Sequence, residues 1–398
     1  MSYFERIICS SSTLVDNAHC NPYRYLILPM ALSSDGLYHA TLAIAANTLR
    51  LSNPSYRIPA LEHHHHALGY LRSLLDQDKW TDRELDEMTG LVLMLCWFEI
   101  SDNSCSSWVT HLNGSQDLLR ARQHRLATRS QPESAHSEQL SNFINRYFAF
   151  HLVLARTAFR LDDSVFDLQP VLGLMHDGNI PEENGADIID PYMGLSHSLL
   201  LLINQISQIA WGDNIDNGSV DDNINVLHLK GRLENLQQIP PPLGDDAEAE
   251  TECVAIAEAN RLGALLLLYE VCSPAMQYTA SEDMEKKKGW ASRSLPILDL
   301  SGKDHCVRRI LHLILERKTS MMRTAVLPLW PLFLAGCCAP TDAERVTVMQ
   351  LFEELEGIRS LEYCTGNGGR ADGLATARFG CPGREKTRKW WRQRPGTV

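Results

Sequence analysis

Between Leu85 and Phe98 the apolar side chains recur three and four residues apart: Leu85, Met88, Leu91, Val92, Leu95 and Phe98. That interval returns to one face of an α-helix at every turn and cannot line one face of a strand. Thr81-Asp82-Arg83-Glu84 stands just before it. A Thr oxygen and a Glu carboxylate three residues apart can each satisfy the other's free backbone N–H, so this string starts a helix. Ser101-Asp102-Asn103-Ser104 breaks the pattern, because short polar side chains compete for backbone hydrogen bonds. Trp108, Leu112, Ser115 and Leu119 then share one face of a second helix, so residues 91–122 are expected to form an αα-hairpin.

Glu99 is out of place in a generic helix. It falls in the last turn, where the partial negative charge of the free carbonyls disfavours a carboxylate by about 0.3–1 kcal/mol. Two explanations stand side by side. Either Glu99 is held across the turn by the Trp108 indole N–H or by His111, or it simply reaches into water.

The same three-and-four interval runs through the rest of the chain. Leu37, Thr41, Ile44, Ala45, Thr48 and Leu49 carry it from Asp35, and Leu61, His64, Leu68, Leu71 and Leu75 carry it after Pro54 and Pro59. Phe143, Tyr147, Phe150, Leu154 and Phe159 follow, then Leu195 to Ala210, then Leu229, Leu233 and Leu236 closed by three prolines. The acidic run Asp245 to Glu252 suits a helix start carrying Val254, Ala257, Leu265 and Leu268. Ser301 and Thr341 open two further helices, the second expected to end near Gly357. No segment alternates apolar and polar residues. The expected fold is all-α, one large domain of roughly a dozen helices with no sheet, over residues 35–360. Residues 1–34 lack periodicity and are expected as a partly docked N-terminal arm. Residues 361–398, rich in glycine and then in basic residues, are expected as a tail.

Composition excludes several function classes. A net charge of −12 argues against a broad nucleic-acid-binding surface. The N-terminus lacks the apolar core of a signal peptide. The longest apolar run, Ala325 to Ala339, is too short to span a bilayer and contains Pro328 and Pro331. Eleven cysteines, an odd number with no C-x-x-C pair, fit reduced structural residues in a non-secreted chain.

Each chemical motif has a plainer explanation. His63 to His66 lacks a second cluster of ligand spacing, so it reads as a solvated helix with one packed histidine, His64, and no metal is assigned. Gly366 to Ala371 matches a dinucleotide-binding string without the preceding strand, which leaves a loop and no cofactor. Asp162, Asp163 and Asp167 resemble the magnesium-holding aspartates of all-α isoprenoid synthases. The second metal motif of those enzymes is missing, since Asn204 to Trp211 begins like it and lacks its terminal Glu. Arg384 to Arg394 holds six basic residues and two tryptophans, suited to a nuclear import signal or a local nucleic-acid contact, or else to a solvated tail.

Five pieces come in one order: residues 38–51, 65–75, 91–100, 106–122 and 327–339. Together they resemble the fungal-specific transcription factor domain, the helical regulatory region that accompanies a zinc binuclear cluster in fungal activators. The most specific parts are the Glu99 turn, the Trp108, His111 and Gly114 string, and Trp330-Pro331 to Gly336. The resemblance implies that these residues are architectural and that the chain is a non-enzymatic transcriptional regulator of the nucleus, with the cytoplasm as a second compartment. It implies a small-molecule effector or protein signal, and a zinc-cluster transcription factor or other transcriptional protein as partner. One departure matters for mechanism. The family's DNA-binding module needs six closely spaced cysteines, whereas six consecutive cysteines here cover spans such as Cys253 to Cys364. Direct DNA binding is therefore not expected from this chain. An isoprenoid-synthase-like enzyme and a ligand-free helical scaffold are the two alternatives.

Overall fold

Among the described residues ten helices are ten residues long or more, and nine of them follow from the sequence signals; the remaining one lies in the proline-broken apolar run 325–339, where no helix is expected. The structure, a computed structural model, describes residues 1–102, nine positions between 111 and 125, and residues 135–158, 185–211, 220–242, 247–272, 298, 301–321 and 326–365. The helices are α1 (Asp35–Leu49), α2 (Arg57–Leu75), α3 (Asp82–Ser101), α4 (Ala135–Ala158), α5 (His197–Trp211), α6 (Val220–Asn235), α7 (Ala247–Val271), α8 (Ser301–Glu316), α9 (Leu329–Cys338) and α10 (Asp342–Thr365). The expected capping box opens α3: Thr81 Oγ1 accepts from Glu84 N, and Glu84 Oε2 accepts from Thr81 N at 2.7 Å. Thr341 and Glu344 repeat the arrangement at α10.

The first half of the fold is built around α3. Its expected apolar face, from Leu85 to Phe98, is buried, and so are Leu93, Met94, Cys96 and Trp97 on its other sides. A helix covered all round needs neighbours on every side, and α1, α2 and α4 provide them. In the second half α7 is the hub, packed on α5, α6, α8 and α9, with α10 lying on α9. One hydrophobic core runs through both halves.

Four expectations need adjustment. Residues 1–34 form helical turns, including π-helical Phe4–Cys9 and Tyr23–Ile27, and Phe4, Ile8, Tyr23 and Ile27 lie in the main core. On α2 the buried face is Ala60, Ala67, Leu71 and Leu74, while Leu61 and Leu75 are about half exposed (46% and 48%). Small alanines allow α1 to approach closely, and the leucines turn outward. Helix α10 continues to Thr365, because one interior glycine, Gly357, costs only about 1 kcal/mol. The expectation of no sheet fails at one place. Ile189–Asp190 (β1) pairs antiparallel with Leu195–Ser196 (β2), a unit too short to show as alternation. Gly194 has φ +69°, which its missing Cβ permits. Asp190 holds this turn by accepting from the Tyr192 and Met193 N–H groups, and Arg146 of α4 pairs with it at 2.9 Å.

Candidate functional site

Glu99 is buried at the C-terminal end of α3, 8% exposed. His111, at a helical position, brings Nε2 to 3.0 Å from Glu99 Oε1. With that nitrogen protonated, the imidazole donates to the carboxylate and offsets the helix-end carbonyls. His64 of α2 approaches from the other side, with Nε2 at 3.8 Å from the same oxygen. Its ring stacks on Phe98 at 4.2 Å between centroids. Burial pushes the His64 pKa down, and the nearby Glu99 charge opposes that shift without cancelling it. Trp108, the other expected partner, lies outside the described residues.

The end of α1 braces the same corner. Asn47 donates to Ser101 Oγ at 2.7 Å, and Arg50 pairs with Asp102 at 2.7 Å. Thus α1, α2 and His111 all bind the last turn of α3 through polar side chains. Asn47 and Arg50 were not singled out by sequence. Their only signal was a polar residue and a cation at the end of an apolar helix. Gly114 is half-buried in the post-turn segment, and no atom among the described residues lies within 4 Å of where a Cβ would sit. Ser115 and Leu118 face the core there.

Trp330, Pro331 and Gly336 form a separate group on α9, all buried. Pro331 sits in the first turn, where a missing N–H costs no intrahelical bond. The backbone of α7 comes hard against it at Gly263. A Cβ there would meet Pro331 Cβ at 2.8 Å and Trp330 Cζ3 at 3.1 Å. The Trp330 indole N–H donates to Thr157 Oγ1 of α4 at 3.1 Å, tying three helices together.

Burial holds the thiols of Cys9, Cys253 and Cys272 up at about 12, and that of Cys306 at about 11, so they remain protonated. The aspartates Asp162, Asp163 and Asp167, the glycine-rich string and the basic run 384–394 lie outside the described residues. Among the described residues no helix is long and apolar enough to cross a membrane.

Comparison with known proteins adds one finding. The chain belongs to the family of the fungal-specific transcription factor domain, whose model matches residues 1–375. No curated protein and no solved structure matches it. The family match begins at residue 1, in keeping with the N-terminal turns that join the core. The family is regulatory rather than enzymatic and supports a fungal transcriptional regulator.

Proposed function

We propose that this chain is a non-enzymatic transcriptional regulator that receives a small-molecule or protein signal in its helical domain and passes it to transcriptional partners. The observation that carries this reading is the family match over residues 1–375, which covers both halves of a single continuous core. The signal enters between helices, where bundles present apolar walls with a few polar groups. The signature residues Glu99, Trp108, His111, Gly114, Trp330, Pro331 and Gly336 hold the helices in register and touch no signal. The protein works in the nucleus, with the cytoplasm as a second compartment. It reaches DNA by pairing with a zinc-cluster transcription factor, a reading supported by the absence of six closely spaced cysteines from these residues and by their net charge of −12.

Tagged protein in a fungal host tests this. A nuclear signal together with co-purification of a zinc-cluster protein on DNA is the expected result. Cytosolic residence without such a partner would overturn it. A thermal-shift screen separates sensor from ligand-free scaffold, because a ligand that binds only the native state raises apparent stability.

A further inference from the structure

Helix α2 carries three leucines seven residues apart, Leu61, Leu68 and Leu75, and the outer two are about half exposed. Ile58, three residues before Leu61, is 67% exposed. Leu68 is half-buried at the edge of the core. Positions three and seven apart recur every 3.5 residues on average, the interval at which one helix face follows a second helix along its length. In that register Ile58, His65 and Arg72 alternate with the leucines, and all three are exposed. The core-facing side of α2 is a different one, made by Ala60, Ala67, Leu71 and Leu74. The outer seam runs nearly the length of a 19-residue helix, about 28 Å, and the chain's own core leaves it largely uncovered. Scattered surface leucines need no explanation, whereas a periodic row does.

We propose that α2 pairs in parallel with α2 of a second copy of this chain. A β-branched residue at the first seam position, followed by leucine at the next, favours two parallel strands. A two-fold contact brings the same patch to both sides, so Leu61, Leu68 and Leu75 each meet their own counterpart. The rims decide the orientation. Arg57 stands just before Ile58 and Glu62 just after Leu61, on opposite edges of the seam. Parallel pairing sets Arg57 of each copy beside Glu62 of the partner subunit, so one sequence supplies both halves of two reciprocal ion pairs. Both residues are exposed, and neither has an ion-pair partner among the described residues. Antiparallel pairing in full overlap would instead bring Glu62 beside Asp76 of the partner subunit, two like charges. Arg72, the one permanent charge in the seam, costs stability and fixes the register, as a single polar seam residue does. Gly69 lies on the same rim as Glu62, with nothing within 4 Å of where its Cβ would sit. It has no packing role inside the chain and leaves room for a second backbone.

The seam alone is smaller than a standard interface, so the dimer is weak and its population depends on concentration. Sedimentation equilibrium of the purified full chain is compared for wild type, Leu61→Glu with Leu75→Glu, Arg57→Glu, and Arg57→Glu with Glu62→Arg. The expected result for wild type is a monomer–dimer equilibrium in the micromolar range. The leucine variant should be monomeric, Arg57→Glu should associate about threefold more weakly at low salt, and the double charge reversal should restore association. Circular dichroism shows that the leucine variant is folded, and the charge variants, altered only at exposed positions, test the pairing independently of it. Wild type that stays monomeric at every concentration would overturn the proposal, and is the outcome if the seam holds a different protein. A dimer untouched by the leucine substitutions, or an Arg57→Glu effect that Glu62→Arg does not reverse, would overturn it as well. The measurement needs no transcriptional partner, so its failure leaves the regulatory reading standing.

Discussion

Two contacts within one hydrophobic core, the end of α3 and the seat of α9 on α7, are held by different physics. Around the buried apolar residues of α3, polar pairs add specific ties: Glu99 with His111, Asn47 with Ser101, Arg50 with Asp102, and Tyr70 with Glu87 at 3.1 Å. Around α7 the contact with α9 is close-packed, with Gly263 admitting Pro331 and Trp330 and with Leu262, Leu265 and Leu266 buried beside it. Polar contacts depend on protonation and geometry, whereas a dry contact depends on volume. The end of α3 is therefore the contact more sensitive to protonation, and the α7–α9 contact the one more sensitive to side-chain volume.

Substitutions sharpen that contrast in order of expected size. Trp330→Ala removes the largest side chain of the α7–α9 contact and is expected to cost about 3–5 kcal/mol in chemical denaturation, at any pH. A loss below 1 kcal/mol would mean that this contact is not a packed core. Glu99→Ala is expected to cost about 1–2 kcal/mol, the lost charged hydrogen bond being partly offset by relief of the helix-end repulsion. A double-mutant cycle with His111→Ala should show coupling, and strict additivity would show that the pair contributes nothing. Thr81→Ala, at the exposed start of α3, is expected to cost about 1 kcal/mol, measured as a shift in denaturation midpoint without a change of slope.

The smallest effect is on acidification. The pKa values of His63 and His64 both lie below the ordinary histidine value in the folded chain. The unfolded chain therefore takes up protons first, so stability is full above about pH 6.5 and falls as the pH drops from there toward the folded values. A His63→Gln, His64→Gln double variant should flatten that slope between pH 7 and 5. An unchanged slope would place the titrating groups elsewhere.

Much of the fold was legible because most of its helices are regular and capped. Thr81, Glu84, Thr341 and Glu344 marked two helix starts, and the apolar face of α3 was read residue by residue. The first 34 residues were not legible for a physical reason. Phe4 and Ile8, and Tyr23 and Ile27, do fall four apart, but they sit in turns of only six and five residues, too short for a period to show in a sequence window. The outward turn of Leu61 and Leu75 depends on how closely α1 approaches the alanine face of α2, which no single helix encodes. At the Glu99 corner the odd residue was visible and one partner, His111, could be named. Asn47 and Arg50 enter only through tertiary packing, as does the meeting of His39 with His63 and His66.

Recruitment to chromatin tests the regulatory role most directly. In chromatin immunoprecipitation of the tagged full-length chain, a transcriptional regulator that works through a DNA-reading partner should be enriched at a discrete set of promoters. That enrichment should vanish when the partner's zinc cluster is disrupted. Absence of enrichment at any promoter, with the protein folded and expressed, would contradict the role assigned to it.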